Sequence, residues 1–417
     1  MGEPLPKFAI LVGGGPAPGI NSVIEAATIR SNLCGIEVLG IQDGFKWIMQ
    51  GDLSHVSPLN RQTVSHVHFR GGSLLGTSRA NPTKRIEDLS SILGALHKLE
   101  ITGLITIGGD DTAFSAFKLA ELAQGGLQVV HVPKTIDNDL CLPHGIPTFG
   151  FQTARHMGVE LVKNLMIDAH TTSRWYFAVT MGRKAGHLAL GIGKAAGATL
   201  TLIPEEFKGT TLKLGQLTNI LVGSIVKRLA QHRPDGVAVL AEGLSEFLDQ
   251  EDLALLGGVE RDDHGNIRLA ELDIGKVLKE TVGQKLKHYG VKVTIVSKNI
   301  GYELRCADPI PFDMEYTRDL GYCAAQFLVD GGNGAMVSIV NGHFTPLPFT
   351  DMLDPATGRT RVRMVNTESE YYKIARAYMA RLEPQDLEDP DLVKEYAGIL
   401  NLSPDQFRSS FQAGGGY

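Results

Sequence analysis

Short, almost wholly apolar runs recur along the chain at residues 8–12, 36–41, 104–107, 129–132, 175–180 and 237–240, each closed by glycine or a polar residue. Continuous, β-branched runs of this length suit strands buried on both faces rather than half-exposed ones. Between many of them lie longer stretches with helical spacing, as in Ile20, Val23, Ile24 and Ala27, or Ala113, Phe114, Ala116, Phe117 and Ala120. The alternation predicts an α/β chain whose mostly parallel sheets carry helices on both sides. Residues 335–340 read as one further strand before a turn at Asn341-Gly342, and 368–395 as a charged helical tail ahead of a frayed Gly-Gly-Gly-Tyr terminus. The polar stretch 248–268 reads as an insertion or hairpin.

Composition then narrows the class. A chain of 417 residues with 43% hydrophobic content and 48 glycines is long enough for two α/β domains rich in strand-to-helix turns, with a boundary near Thr148-Phe149-Gly150. A formal net charge of -6 disfavours nucleic acid as a partner, while leaving room for a local basic pocket. The four cysteines, Cys34, Cys141, Cys306 and Cys323, form no C-x-x-C pair, so neither a zinc site nor a disulfide framework is expected. The first residues lack a charged-then-apolar leader pattern, and no apolar stretch is long enough to span a bilayer, which predicts a cytoplasmic protein without membrane contact.

The chemistry gathers where strands end. After the run at 129–132 come Pro133-Lys134-Thr135-Ile136-Asp137-Asn138-Asp139, one cation and two carboxylates at a strand mouth, where open α/β sheets bind ligands. Two carboxylates there can divide the labour, one at a metal and one taking a hydroxyl proton, while the ammonium meets an anion; that combination points to phosphoryl transfer. Gly13-Gly14-Gly15-Pro16-Ala17-Pro18-Gly19 follows the first strand and lets backbone N–H groups approach a phosphate. It is not a Walker A loop, because Ile20 follows Gly19 where a lysine belongs, and it lacks the dinucleotide fingerprint. Gly108-Gly109-Asp110-Asp111-Thr112 places Asp110 for a metal and Asp111 or Thr112 to cap the next helix. Met181-Gly182-Arg183, with Arg174 ahead of its strand, offers guanidinium groups for a sugar phosphate, and Arg79 in Gly76-Thr77-Ser78-Arg79 offers another.

Six segments in this order resemble the phosphofructokinase family: the glycine loop through Asn21, Gly108-Gly109-Asp110-Asp111, Thr135-Ile136-Asp137-Asn138-Asp139, Phe149-Gly150-Phe151-Gln152-Thr153-Ala154, Met181-Gly182-Arg183-Lys184-Ala185-Gly186 and Ala241-Glu242-Gly243. The resemblance implies two Rossmann-like domains with the active site in the cleft between them. Residues 1–149 with about 304–360 would form the donor domain, and 150–303 with about 361–417 the sugar-phosphate domain and helical tail. It implies Asp137 as general base, Mg²⁺ at Asp110 and Asp139, and Arg79 spanning the transferred group. Gly14, Gly15, Gly109 and Lys134 would line a diphosphate. Thr135, Met181, Gly182, Arg183, Glu242, Tyr302 and Arg305 would hold fructose 6-phosphate, with Arg174 and Lys298 reaching in from a neighbouring subunit of a homodimer or homotetramer. Lys134 and Asp111 stand where ATP-dependent members usually carry glycine, so the likeness is to the pyrophosphate-dependent branch. An ammonium at 134 supplies a counter-charge to pyrophosphate, and Asp111 puts bulk and negative charge where a nucleotide would lie. The alternatives are an ATP-dependent member and a non-catalytic sugar-phosphate sensor; the paired Asp137 and Asp139 speak against the latter.

Overall fold

The computed structural model describes residues 6–209, 211–249, 251–252 and 273–412. Most of the stretch read as an insertion and the terminal Gly-Gly-Gly-Tyr lie outside them. In chain order the elements begin β1 (Lys7–Val12), α1 (Ile20–Leu33), β2 (Glu37–Ile41), β3 (Val56–Leu59), α2 (Ile86–Lys98), β4 (Ile101–Gly108), α3 (Asp110–Ala123) and β5 (Gln128–Pro133). Then come α4 (Phe151–Thr172), β6 (Trp175–Thr180), α5 (His187–Ala196), β7 (Leu200–Leu202), α6 (Leu214–Ala230), β8 (Gly236–Ala241), α7 (Ile274–His288) and β9 (Ile295–Ile300). The rest are α8 (Tyr302–Arg305), α9 (Pro311–Val329), β10 (Ala335–Met336), β11 (Ile339–Val340), β12 (His343–Phe344), β13 (Leu347–Pro348), α10 (Glu370–Ala377), α11 (Pro384–Glu388), α12 (Pro390–Ile399) and α13 (Pro404–Gln412). The chain divides into two units, Met1–Ala154 with Tyr302–Arg363, and Arg155–Gly301 with Met364–Tyr417.

The first unit holds a seven-stranded sheet in the order β13-β10-β5-β4-β1-β2-β3, parallel except for its two edge strands. Successive β1 residues feed opposite cores, as the two-residue repeat of a strand requires. Phe8, Ile10 and Val12 pack with Ile20, Val23 and Ile24 of α1 and Leu320, Ala324 and Leu328 of α9. Ala9 and Leu11 pack with Leu89, Ile92 and Leu96 of α2 and Ala113, Ala116 and Leu119 of α3. The chain runs outward from β1 to β2 and β3, then returns to the other side of β1 for β4 and β5. That reversal between β1 and β4 is the switch point at which sheets of this type open a crevice beyond their carboxyl ends.

The second unit holds a parallel four-stranded sheet, β7-β8-β6-β9. Its central strand β6 is buried throughout, with Trp175 and Phe177 fully enclosed. Burying one such aromatic contributes roughly 1.5–3 kcal/mol.

Two expectations change. The apolar run at 335–340 is not one strand: Ala335 and Met336 pair with β5, whereas Ile339 and Val340 leave the sheet to pair with β12 across Asn341-Gly342. Both turn residues have positive φ, 50° and 78°, the geometry of a two-residue hairpin. The tail breaks into α10, α11 and α12, because prolines at 384 and 390 start new helices.

Candidate functional site

In the first unit, the turns after β1, β4 and β5 gather around Lys134. Its backbone N–H donates to the Gly108 carbonyl at 2.7 Å, which ties the β5 turn to the end of β4. Its ammonium is buried, 4% exposed, and donates to the Gly15 carbonyl in the glycine loop. Gly14 sits at φ 82° directly beneath, where an added Cβ would lie 3.5 Å from Nζ. The loop is held from the other side by Gly14 N–H donating to Ser78 O at 2.8 Å and by the Thr77 hydroxyl donating to Gly14 O at 2.7 Å, which brings Arg79 alongside.

Burial, with the Arg305 guanidinium acting in the same direction, pushes the Lys134 pKa down to about 8. Asp137 and Asp139 oppose that shift, and Arg79 adds to it. A buried ammonium flanked by two guanidinium groups is a site for a compact polyanion. Arg305, expected at the sugar phosphate, lies here: an added Cβ on Gly15 would stand 3.3 Å from its guanidinium, and the Tyr302 ring packs 5.1 Å from its Cζ. Tyr302 itself is 78% exposed.

The loop carrying the two carboxylates is tightly tethered. Thr135 accepts from Asp137 N–H through its hydroxyl at 3.0 Å, and its carbonyl accepts from the Thr148 hydroxyl at 2.8 Å. Between the carboxylates Asn138 adopts φ 57°, a left-handed conformation that asparagine tolerates better than most residues. Asp111 and Thr112 behave differently from the capping expectation. The helix α3 already begins at Asp110, Gly109 at its N-cap contributes no side chain, and Asp110 Oδ1 accepts from Asp111 N–H at 2.9 Å. Asp111 is exposed, and Thr112 is buried against Gly13 and Gly108. Among the described residues no group of three or more His, Cys, Asp or Glu side chains converges as a metal cage.

Sequence reading missed three side chains that build this site. His131, fully buried on β5, contacts the Thr106 hydroxyl at 2.8 Å through Nδ1 and the Gly108 carbonyl at 3.0 Å through Nε2. Burial pushes its pKa down to about 3, so it is neutral, with Nε2–H as the donor to Gly108. Buried Asp313 accepts from Gly150 N–H at 3.0 Å and Thr153 N–H at 2.7 Å, satisfying the first turn of α4. Arg363 bonds to the carboxylate loop. Only the His131 signal, a polar residue inside a β-branched run, was visible in the sequence.

In the second unit the carboxyl ends of adjacent strands β6 and β8 meet. Glu242 Oε2 accepts from Gly182 N–H at 3.3 Å, and Oε1 lies 3.5 Å from Arg183 Nε, so one carboxylate orients both the glycine turn and the half-exposed guanidinium. Met181 packs on Gly301, where an added Cβ would stand 3.0 Å from its methyl. Arg174 precedes β6 and lies 3.9 Å from Asp168. Six strand residues, ~20 Å at ~3.3 Å each, separate it from the Met181 turn. Lys298 is exposed in mid β9, opposite Ala178. Neither joins the Arg183 group within its own unit.

A glycine-cradled lysine at the switch point, with a carboxylate pair behind it, agrees with the comparison to known families: the model described as Phosphofructokinase matches residues 7–328. The chain belongs to the phosphofructokinase family. A Thermotoga maritima relative named pyrophosphate–fructose 6-phosphate 1-phosphotransferase is 52% identical over 411 residues, covering 97% of this chain and 98% of its own. A Naegleria fowleri relative of the same name is 48% identical over 417 residues, covering 98% and 95%. In fold, the chain is similar to the crystal structure of a pyrophosphate-dependent phosphofructokinase from Marinobacter aquaeolei, with TM-score 0.67, 16% identity and coverage of 96% and 92%.

Proposed function

We propose that this chain is a pyrophosphate-dependent 6-phosphofructokinase, moving a phosphoryl group from pyrophosphate to the C1 hydroxyl of fructose 6-phosphate. The reaction runs both ways and serves glycolysis or gluconeogenesis. The observation that carries the reading is the buried Lys134 ammonium, bonded to Gly15 and flanked by Arg79 and Arg305. A small anion with no base or ribose must draw its binding from charge, and this group supplies it. Asp111, at the exposed start of α3, repels the α-phosphate of a nucleotide.

Asp137 takes the proton of the C1 hydroxyl as its oxygen attacks phosphorus. The new bond joins that oxygen to the phosphoryl group, the bridging P–O bond of pyrophosphate breaks, and phosphate leaves. Arg79 stabilises the equatorial charge of the transferred group, and Lys134 that of the leaving phosphate. Asp110 and Asp139, beyond adjacent strands β4 and β5, fit Mg²⁺, which is held by one or two carboxylates together with substrate phosphates. When bound, that ion offsets charge on the pyrophosphate oxygens. Arg183, oriented by Glu242, grips the sugar phosphate with Met181 and Gly182. Arg174 and Lys298 serve the site of a neighbouring subunit, which makes the working form a homo-oligomer. The setting is cytoplasmic; no helix among the described residues is long and apolar enough to cross a membrane.

A coupled assay of fructose 1,6-bisphosphate formation with pyrophosphate and ATP in parallel tests the reading. Turnover with pyrophosphate, at least about 10²-fold more efficient than with ATP, is expected; turnover with ATP alone overturns it.

A further inference from the structure

The loop that bears Asp137 and Asp139 is clasped by a segment beyond the stretch shared with the family model, which ends at residue 328. The chain doubles back there: Asp354 N–H donates to Arg359 O at 2.7 Å and Arg361 N–H to Met352 O at 2.9 Å. Its end runs antiparallel to the carboxylate loop, with Val362 bridging Leu140 and Arg363 N–H donating to Asp139 O at 2.7 Å. The Arg363 guanidinium then divides its donors among three acceptors. Nε bonds to Asn138 O at 3.0 Å, Nη1 to Ile146 O at 2.7 Å, and Nη2 to Asn138 Oδ1. The same Asn138 oxygen accepts from Thr148 N–H at 3.0 Å.

We propose that Arg363 is a positioning residue for the carboxylate loop, locking the left-handed Asn138 between Asp137 and Asp139 so that both carboxylates hold their directions. The inference rests on the roles given above to Asp137 and Asp139. A planar fork can hold a backbone carbonyl, a side-chain oxygen and a second carbonyl in fixed relation, which a lysine cannot. Asn138 sits in the left-handed region, which asparagine tolerates but which still costs a non-glycine residue, so its surroundings help to hold it there. The Arg363 charge also faces Asp139. The segment at 352–363 therefore acts as a strap on the reactive loop.

The test compares full-length wild type with Arg363→Lys and Arg363→Ala by pyrophosphate-dependent kinetics and by amide hydrogen exchange. For Arg363→Lys, kcat is expected to fall by roughly 10–10²-fold with the KM for fructose 6-phosphate within about threefold, since small misplacements of reacting groups cost rates of this order. Exchange in peptides covering 135–148 is expected to rise while β1 and β4 stay protected as in wild type. Unchanged kcat overturns the proposal, whether or not the loop exchanges faster. Equal loss of protection throughout the first unit also overturns it, in favour of a general stability role; Arg363→Lys keeps the test open if Arg363→Ala does not fold. A wild type inactive with pyrophosphate would count against the functional reading, and the exchange comparison would still decide whether Arg363 holds the loop.

Discussion

Lys134 is the residue on which the proposed donor chemistry turns, and its environment makes the consequence measurable. Its ammonium persists below about pH 8 and is lost above it, because burial and Arg305 lower its pKa from 10.5. Efficiency with pyrophosphate is therefore expected to fall as pH rises through about 8, and Lys134→Met to flatten that limb at a lower level. The stability effect has the opposite sign: between about 8 and 10.5 the unfolded chain binds the proton that the folded one has released, so the ligand-free protein gains stability with pH there. A pH series of kcat/KM together with melting temperature checks both signs. For Asp137, replacement by Ala is expected to lower kcat by about 10²–10⁴-fold, the usual worth of a general base, with little change in substrate KM. A folded Asp137→Ala protein with near wild-type kcat would remove it from the mechanism.

At the level of elements, the turn from β4 to α3 shows how packing aims a carboxylate. A Cβ on Gly108 would stand 2.3 Å from Thr112 Cβ, so Gly108→Ala must displace the first turn of α3 and Asp110 with it. Overpacking of this kind costs about 1–3 kcal/mol. Adding Thr112→Gly, which removes the opposing Cβ together with its branch atoms, is expected to restore part of the lost melting temperature, a non-additive pair; losses that simply sum in the double variant would show that the contact is not the cause. The strands that carry this site were legible because β-branched runs and glycine turns are local signals. The split of the 335–340 run was not, since its cause is a hairpin register at Asn341-Gly342 that competes with pairing to β5. The capping role expected of Asp111 or Thr112 failed because the N-cap falls at Gly109 and the helix has already begun at Asp110.

Across the whole molecule, legibility tracks sequence separation. Lys134, Asp137 and Asp139 lie within one heptapeptide and could be read together, whereas Arg363 and Asp313 reach their partners from more than 150 residues away and carry no local mark. If Arg174 serves a neighbouring subunit, mixing inactive Arg174→Ala and Arg183→Ala chains is expected to regenerate some activity, and a verified monomer with full turnover would contradict it. The most direct measurement is kcat/KM for pyrophosphate and for ATP in wild type, Lys134→Gly, Asp111→Gly and the double variant. Charge-assisted bonds are worth roughly 1.5–3 kcal/mol, so Lys134→Gly is predicted to lose about 10–10²-fold with pyrophosphate, and the double variant to gain use of ATP. A wild type that already prefers ATP, or a Lys134→Gly variant with unchanged pyrophosphate kinetics, would contradict the account.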